Sequence, residues 1–124
     1  MNEAERDAGM PATPGYRYAD EVSGELYVAG QVPHDADGNI VGLGDTRRQA
    51  EQSLDNLFRL VDVRGFERAH IRRLVIYVAG EHLAEAWKAV LEAFDGEVPP
   101  ATLLGVARLG HDGQLFEIDA TIHR

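Results

Sequence analysis

Apolar residues along this chain follow two periods, and the switches between them divide it into elements. "YRYADEV" and "GELYVAGQV" are short β-rich runs bounded by turn residues, and they read as two strands. "HDADGN" holds an Asp37–Gly38 pair, a turn signal, after which "IVG" is expected to return as a short third strand. The period then changes to that of a helix. Thr46 with Gln49 three residues on fits a capping box, and Asp45 adds negative charge at the start. Ala50, Leu54, Leu57, Phe58 and Val61 line one face, and Gly65 is placed to end the helix. "RRLVIYVAG" is the next strand. A second helix follows, with Leu83, Ala86, Trp87, Val90, Leu91 and Phe94 on one face and Gly96 at its end. "VPPATLLGVARL" reads as a proline-led strand, Asp112–Gly113 as a hairpin turn, and "QLFEIDATIH" as the last strand. The expected order is βββαβαββ, an α+β domain over residues 15–124. Residues 1–14, polar and holding Pro11 and Pro14, read as a flexible tail.

Two helices cover only one face of such a sheet. Yet "LVIYV" has no polar position and "TLLGV" only its first, whereas a half-solvated sheet alternates. The second face therefore calls for a partner, and another copy of the chain is the available material, so a homo-oligomer with sheets packed on sheets is expected. In the last strand, Phe116, Ile118, Ala120 and Ile122 fit the helix-covered face. Leu115, Glu117, Asp119 and Thr121 take the other one. A carboxylate on that face is costly unless it is hydrogen-bonded or wet, which makes Glu117 a candidate site residue.

Composition narrows the function classes. A net charge of −9 repels phosphate backbones, and no arginine pair is flanked by aromatics, so nucleic acid is not an expected partner. The absence of cysteine removes disulfides, thiolate metal sites and cysteine nucleophiles, and fits a reducing cytoplasm. "MNEAERDAGM" has no apolar h-region, and no run is long enough for a membrane span. His34, His70, His82, His111 and His123 lack ligand spacing and read as mostly solvated, so no metal site is expected. "DADGN" lacks the glycine offset and closing glutamate of a calcium loop, and "GLGD" lacks the context of a phosphate loop.

Five segments in order, "YVAGQVP", "DGNIVG", "QAEQSLDNL", "PPATLLGVARL" and "FEIDA", resemble the Rid (YjgF) family over Tyr16–His123. The resemblance implies a chorismate-mutase-like fold and a homotrimer. Its sheets would line a central barrel with helices outside, leaving clefts between neighbouring subunits. It also implies hydrolysis of reactive imines and enamines to keto acids and ammonia, without cofactor or metal. Carried over residue by residue, the water-orienting glutamate falls on Glu117. The cleft tyrosine falls on Tyr18, with Tyr16 close in register. The glycine of the "SGQ"-type motif is Gly30, preceded here by Ala29 instead of serine. The arginine that clamps a substrate carboxylate falls on Ala101, or on Thr102 in the other alignment, and neither is charged. Arg108 lies seven residues beyond Ala101, roughly 23 Å along a strand and on the opposite face. Arg17 beside Tyr18 is the candidate replacement. Without the clamp, weak turnover of carboxylate-bearing imines is expected. A cleft that binds a small metabolite without chemistry is the other open reading.

Overall fold

The computed structural model describes residues 1–124. Its elements are α1 (Glu3–Asp7), β1 (Ala19–Val22), β2 (Glu25–Val28), α2 (Thr46–Val63), β3 (Ile71–Ala79), α3 (Leu83–Ala93), β4 (Ala101–Val106) and β5 (Phe116–His123), with a 3-10 turn at Arg68–His70 before β3. The five strands form one mixed sheet in the order β1-β2-β5-β3-β4. β3 and β4 run parallel, joined by α3, and every other pairing is antiparallel.

The helical face of the sheet holds the core. Leu26, Leu74, Ile76, Val78, Phe116, Ile118 and Ile122 are buried there, together with Leu54, Leu57, Leu60 and Val61 of α2 and Ala86, Ala89 and Val90 of α3. The two periods select much of this set; Leu60 and Ala89 lay outside the expected stripes, and Phe58, Leu83, Trp87, Leu91 and Phe94 within them are only partly buried. Phe58 and Phe94 meet edge to face at 5.3 Å and tie α2 to the end of α3. Gly65 and Gly96 close the two helices with φ of +78° and +81°. Their N–H groups return to Asp62 and Leu91 carbonyls, satisfying acceptors that a helix end leaves open.

Several expectations are corrected. No strand forms at "IVG". The segment returns only as far as an isolated bridge between His34 and Ile40, because Asp35 turns the chain by accepting from the Asp37 and Asn39 amides. Asp112–Gly113 is a turn but not a hairpin, since β5 lies two places from β4, between β2 and β3. The cap of α2 is Asp45, whose carboxylate accepts from the Arg48 amide at 3.0 Å. Thr46 is instead the first helical residue, and its hydroxyl is buried without a partner. Gln49 does not complete a capping box but bridges loops: its amide donates to Gly42 and Gly113 carbonyls and accepts from the Leu115 amide. Residues 1–14 are docked rather than loose. Asn2 and Glu5 form a reciprocal cap on α1, Glu5 lies buried 3.8 Å from Arg64, and Met10 joins the core.

The second face of the sheet carries Val22, Tyr27, Arg73, Val75, Tyr77, Thr102, Leu104, Glu117, Asp119 and Thr121, as the strand registers require. No helix covers it. Val22, Tyr27 and Leu104 are exposed by 53%, 57% and 42%, which leaves an apolar face unpartnered in a single chain.

Candidate functional site

Glu117 stands on that open face near the start of β5, and three features hold it. Gln114 donates from its amide to Glu117 Oε1 at 3.1 Å and to the Phe116 carbonyl at 3.0 Å. The Gln114 carbonyl oxygen in turn accepts from the His111 backbone amide at 3.2 Å and contacts the His111 ring Nδ1 at 3.1 Å. With Nδ1 carrying the proton, the buried Gln114 amide uses all its hydrogen-bonding capacity and its orientation is set. Gly30 supplies the third feature. A Cβ built there would overlap Glu117 Oε2 and lie 2.9 Å from its Cδ. Glu117 Oε2 therefore lies against a bare α-carbon. The close approach is fixed by the bridge between Gln31 and Ile118, which brings the "AGQ" segment beside β5. The result is a carboxylate with one oxygen anchored and the other without a protein partner, positioned to hold or deprotonate a water.

The tyrosine coupled to this carboxylate is Tyr16. Its phenol is pushed above the ordinary range, first by burial and then by the charge of Glu117. Tyr18, the expected cleft residue, is buried in the core, and its hydroxyl donates to the Pro11 carbonyl at 2.5 Å. Burial, with smaller effects from Tyr16 and Glu5, pushes its phenol up to about 12. Tyr18 thus acts as a tether for the N-terminal segment. Its ring also meets His34 edge to face. His34 is half-buried; burial lowers its pKa, His111 lowers it further and Asp35 partly opposes this. Asp119, one step along the open face from Glu117, is held above the usual carboxylate range by burial, partly offset by its hydrogen bond from the Ala120 amide.

The other sequence candidates are dispersed within one chain. Thr102 shares the open face but pairs with Val75, while Glu117 pairs with Tyr77 two strands over, a separation of roughly 12 Å from strand spacing and rise. Ala101 projects to the opposite face from Thr102. Arg17 is 72% exposed and pairs with Asp20 at 3.5 Å. It lines a separate cavity of about 280 Å³ with Asn2, Glu5 and Arg64. The guanidinium beside Thr102 belongs to Arg73, which donates to its hydroxyl at 3.1 Å. Gln114, His111 and Arg73 were not picked out by sequence reasoning.

One mixed sheet backed by helices on one face, with the other face open, makes the molecule an α+β protein. The chain belongs to the endoribonuclease L-PSP family, also known as Rid or YjgF, whose family pattern matches residues 8–124. A RutC family protein of Sulfurisphaera tokodaii is 31% identical over 112 residues, covering 90% of this chain and 88% of that protein. Among solved structures, the Rid family protein YyfA of Yersinia pestis superposes with a TM-score of 0.85 at 25% identity, with 94% of each chain covered. The YjgF gene product of E. coli gives 0.82 at 27% identity, again over 94% of each chain.

Proposed function

We propose that the chain hydrolyses small imines, enamines or related carbonyl compounds, with Glu117 as the acid–base group and no cofactor. The observation that carries this reading is the asymmetric hold on Glu117: Gln114 anchors Oε1, and Gly30 leaves Oε2 free. A protonated imine carbon is already electrophilic, so the protein has only to present an oriented water and then shuttle its proton to the departing amine. Tyr16 feels the charge of the same carboxylate, and its raised pKa keeps the phenol protonated at neutral pH, available as a hydrogen-bond donor.

The working form in this reading is a homotrimer whose open sheet faces pack together, leaving clefts between copies. The exposed Val22, Tyr27 and Leu104 support that packing. So does the wide separation of Thr102 from Glu117 in one chain, because a cleft between copies draws these residues from two subunits. Ala101 and Thr102 offer no charge. Carboxylate-bearing imines are therefore expected to turn over weakly unless charge reaches them from elsewhere. Ribonuclease action is not part of the reading, since a chain of net charge −9 has little attraction for a phosphate backbone.

The test supplies imines in situ from an amine oxidase and an amino-acid oxidase and follows ammonia release. Glu117→Gln should reduce kcat by at least about a hundredfold, the usual scale of acid–base catalysis, while ligand binding is retained. Unchanged turnover in Glu117→Gln overturns the reading. Binding without turnover in the unaltered protein would instead make the cleft a metabolite-binding module.

A further inference from the structure

The backbone that carries Gln114 is held on both sides. The Gln114 backbone amide donates to the His111 carbonyl at 3.0 Å and closes a turn over Asp112 and Gly113. Gln49 fixes the two flanking residues: its side-chain amide donates to the Gly113 carbonyl at 2.9 Å, and its oxygen accepts from the Leu115 amide at 2.7 Å. The Leu115 carbonyl in turn accepts from the Ala79 amide of β3 at 2.9 Å. In so fixed a seat, the direction of the Gln114 side-chain amide decides what it offers to Glu117.

Three neighbours of fixed polarity set that direction. The Phe116 carbonyl and the ionised Glu117 carboxylate only accept, so the Gln114 amide nitrogen faces them. The His111 backbone amide only donates, so the Gln114 oxygen faces it. A flipped amide would turn its oxygen on two acceptors and its nitrogen on a donor, in a residue 4% exposed where water cannot compensate. The His111 ring is the one neighbour whose polarity is free to change. Its Nδ1 lies 3.1 Å from the same Gln114 oxygen. That oxygen has only lone pairs to offer, so Nδ1 has to carry a proton. In the neutral ring Nε2 is then the bare nitrogen, its state set by the bond that the other nitrogen makes. The ring donor occupies the second lone pair of the Gln114 oxygen and opposes any rotation that would take the Gln114 nitrogen away from Glu117.

We infer that His111 is a positioning residue for Glu117: its neutral imidazole is held as the Nδ1–H tautomer and, through Gln114, keeps Oε1 anchored so that Oε2 alone is left for the reacting water. This role rests on the hydrolysis proposed above, whereas the tautomer is read without turnover. The first measurement is a long-range nitrogen–proton correlation spectrum of the full chain at a pH of about 9, where imidazoles are neutral. It should show His111 with a protonated Nδ1 and a bare Nε2. The second is turnover of oxidase-generated imines by three variants that differ in what they place near Nδ1. His111→Asn returns an amide donor there and should keep kcat within about twofold of the unaltered protein. His111→Leu, with no donor, should lower kcat by about threefold or more. His111→Asp sets an acceptor against the Gln114 oxygen and should lower kcat by about tenfold or more, with KM changing by less than about twofold in each variant. His111 is exposed, so circular dichroism should find all three folded, and the comparison of Asn with Leu decides by itself if Asp does not fold. A proton on Nε2 with Nδ1 bare, or equal kcat in the Asn and Leu variants, overturns the inference and leaves hydrolysis by Glu117 standing. Unchanged turnover in Glu117→Gln overturns the hydrolytic reading and the role of His111 with it, whichever tautomer the ring shows.

Discussion

Replacing Gly30 by alanine isolates the contact that gives Glu117 its geometry. The Gly30 backbone is not in the left-handed region, so alanine meets no conformational barrier there. By itself the change should stabilise the protein by roughly 0.4–1 kcal/mol, because the unfolded chain loses freedom. The obstacle is the carboxylate, which the new Cβ would overlap. Glu117 has to swing away and break its 3.1 Å bond from Gln114. A hydrogen bond to a charged group contributes about 1.5–3 kcal/mol, and the partial exposure of Glu117 places this one near 1.5. The net expectation is a loss of about 0.5–1 kcal/mol for Gly30→Ala in the unaltered protein. In a Glu117→Ala background the obstacle is gone, and the same substitution should become stabilising by about 0.4–1 kcal/mol. Urea denaturation of the four proteins, at one protein concentration because self-association would shift apparent stability, reads a coupling of about 1.5 kcal/mol. A coupling below about 0.5 kcal/mol, within ordinary additivity, would refute the idea that Gly30 exists to seat this carboxylate. Turnover gives a second readout: Gly30→Ala should lose activity while remaining folded.

Other perturbations probe the remaining structure. Gln49→Leu removes a buried amide that serves the Gly42, Gly113 and Leu115 backbones, and chemical denaturation should register a loss of about 3 kcal/mol or more. Tyr18→Phe should cost about 1 kcal/mol through the lost bond to Pro11 and leave turnover intact, whereas Tyr16→Phe should impair turnover with little change in stability. The Tyr18 phenol is raised from 10.0 to about 12, so folding favours its neutral form. Its contribution is complete below pH 10 and fades as pH rises through 12, and Tyr18→Phe should flatten the fall in stability across that window. Leu104→Glu places a charge on the unpartnered sheet face at a residue 42% exposed. Light scattering should find the assembly dissociated while circular dichroism stays unchanged, and an intact trimer would count against packing through this face.

Much of the architecture was legible because it is local. A helix or strand declares itself through a period of a few residues. For this reason α2, β3, α3, β4 and β5, their buried faces, and the glycines at Gly65 and Gly96 follow from the pattern alone. The same parity placed Glu117 off the core. The two-sided apolar character of β3 announced the uncovered face, which Val22, Tyr27 and Leu104 now display. Family resemblance added Gly30, and the structure sets it against Glu117.

What only the tertiary structure decided depends on residues distant in sequence or on backbone that has no period. The insertion of β5 between β2 and β3 turned an expected hairpin into a crossing connection, since pairing energies across a sheet leave no mark on local pattern. Tyr16 and Tyr18 precede β1 in irregular chain, where alternation assigns no face, so the bond from the Tyr18 hydroxyl to the Pro11 carbonyl was invisible in the sequence. Gln49 reaches 64 and 66 residues along the chain to serve its partners. Arg73 meets Thr102 across the β3–β4 pair, a contact that joins residues 29 apart in sequence. Periodicity selects which side chains leave water together. Hydrogen-bond satisfaction among distant segments then determines which polar groups meet, as it does where Gln114 and the Gly30 segment meet Glu117.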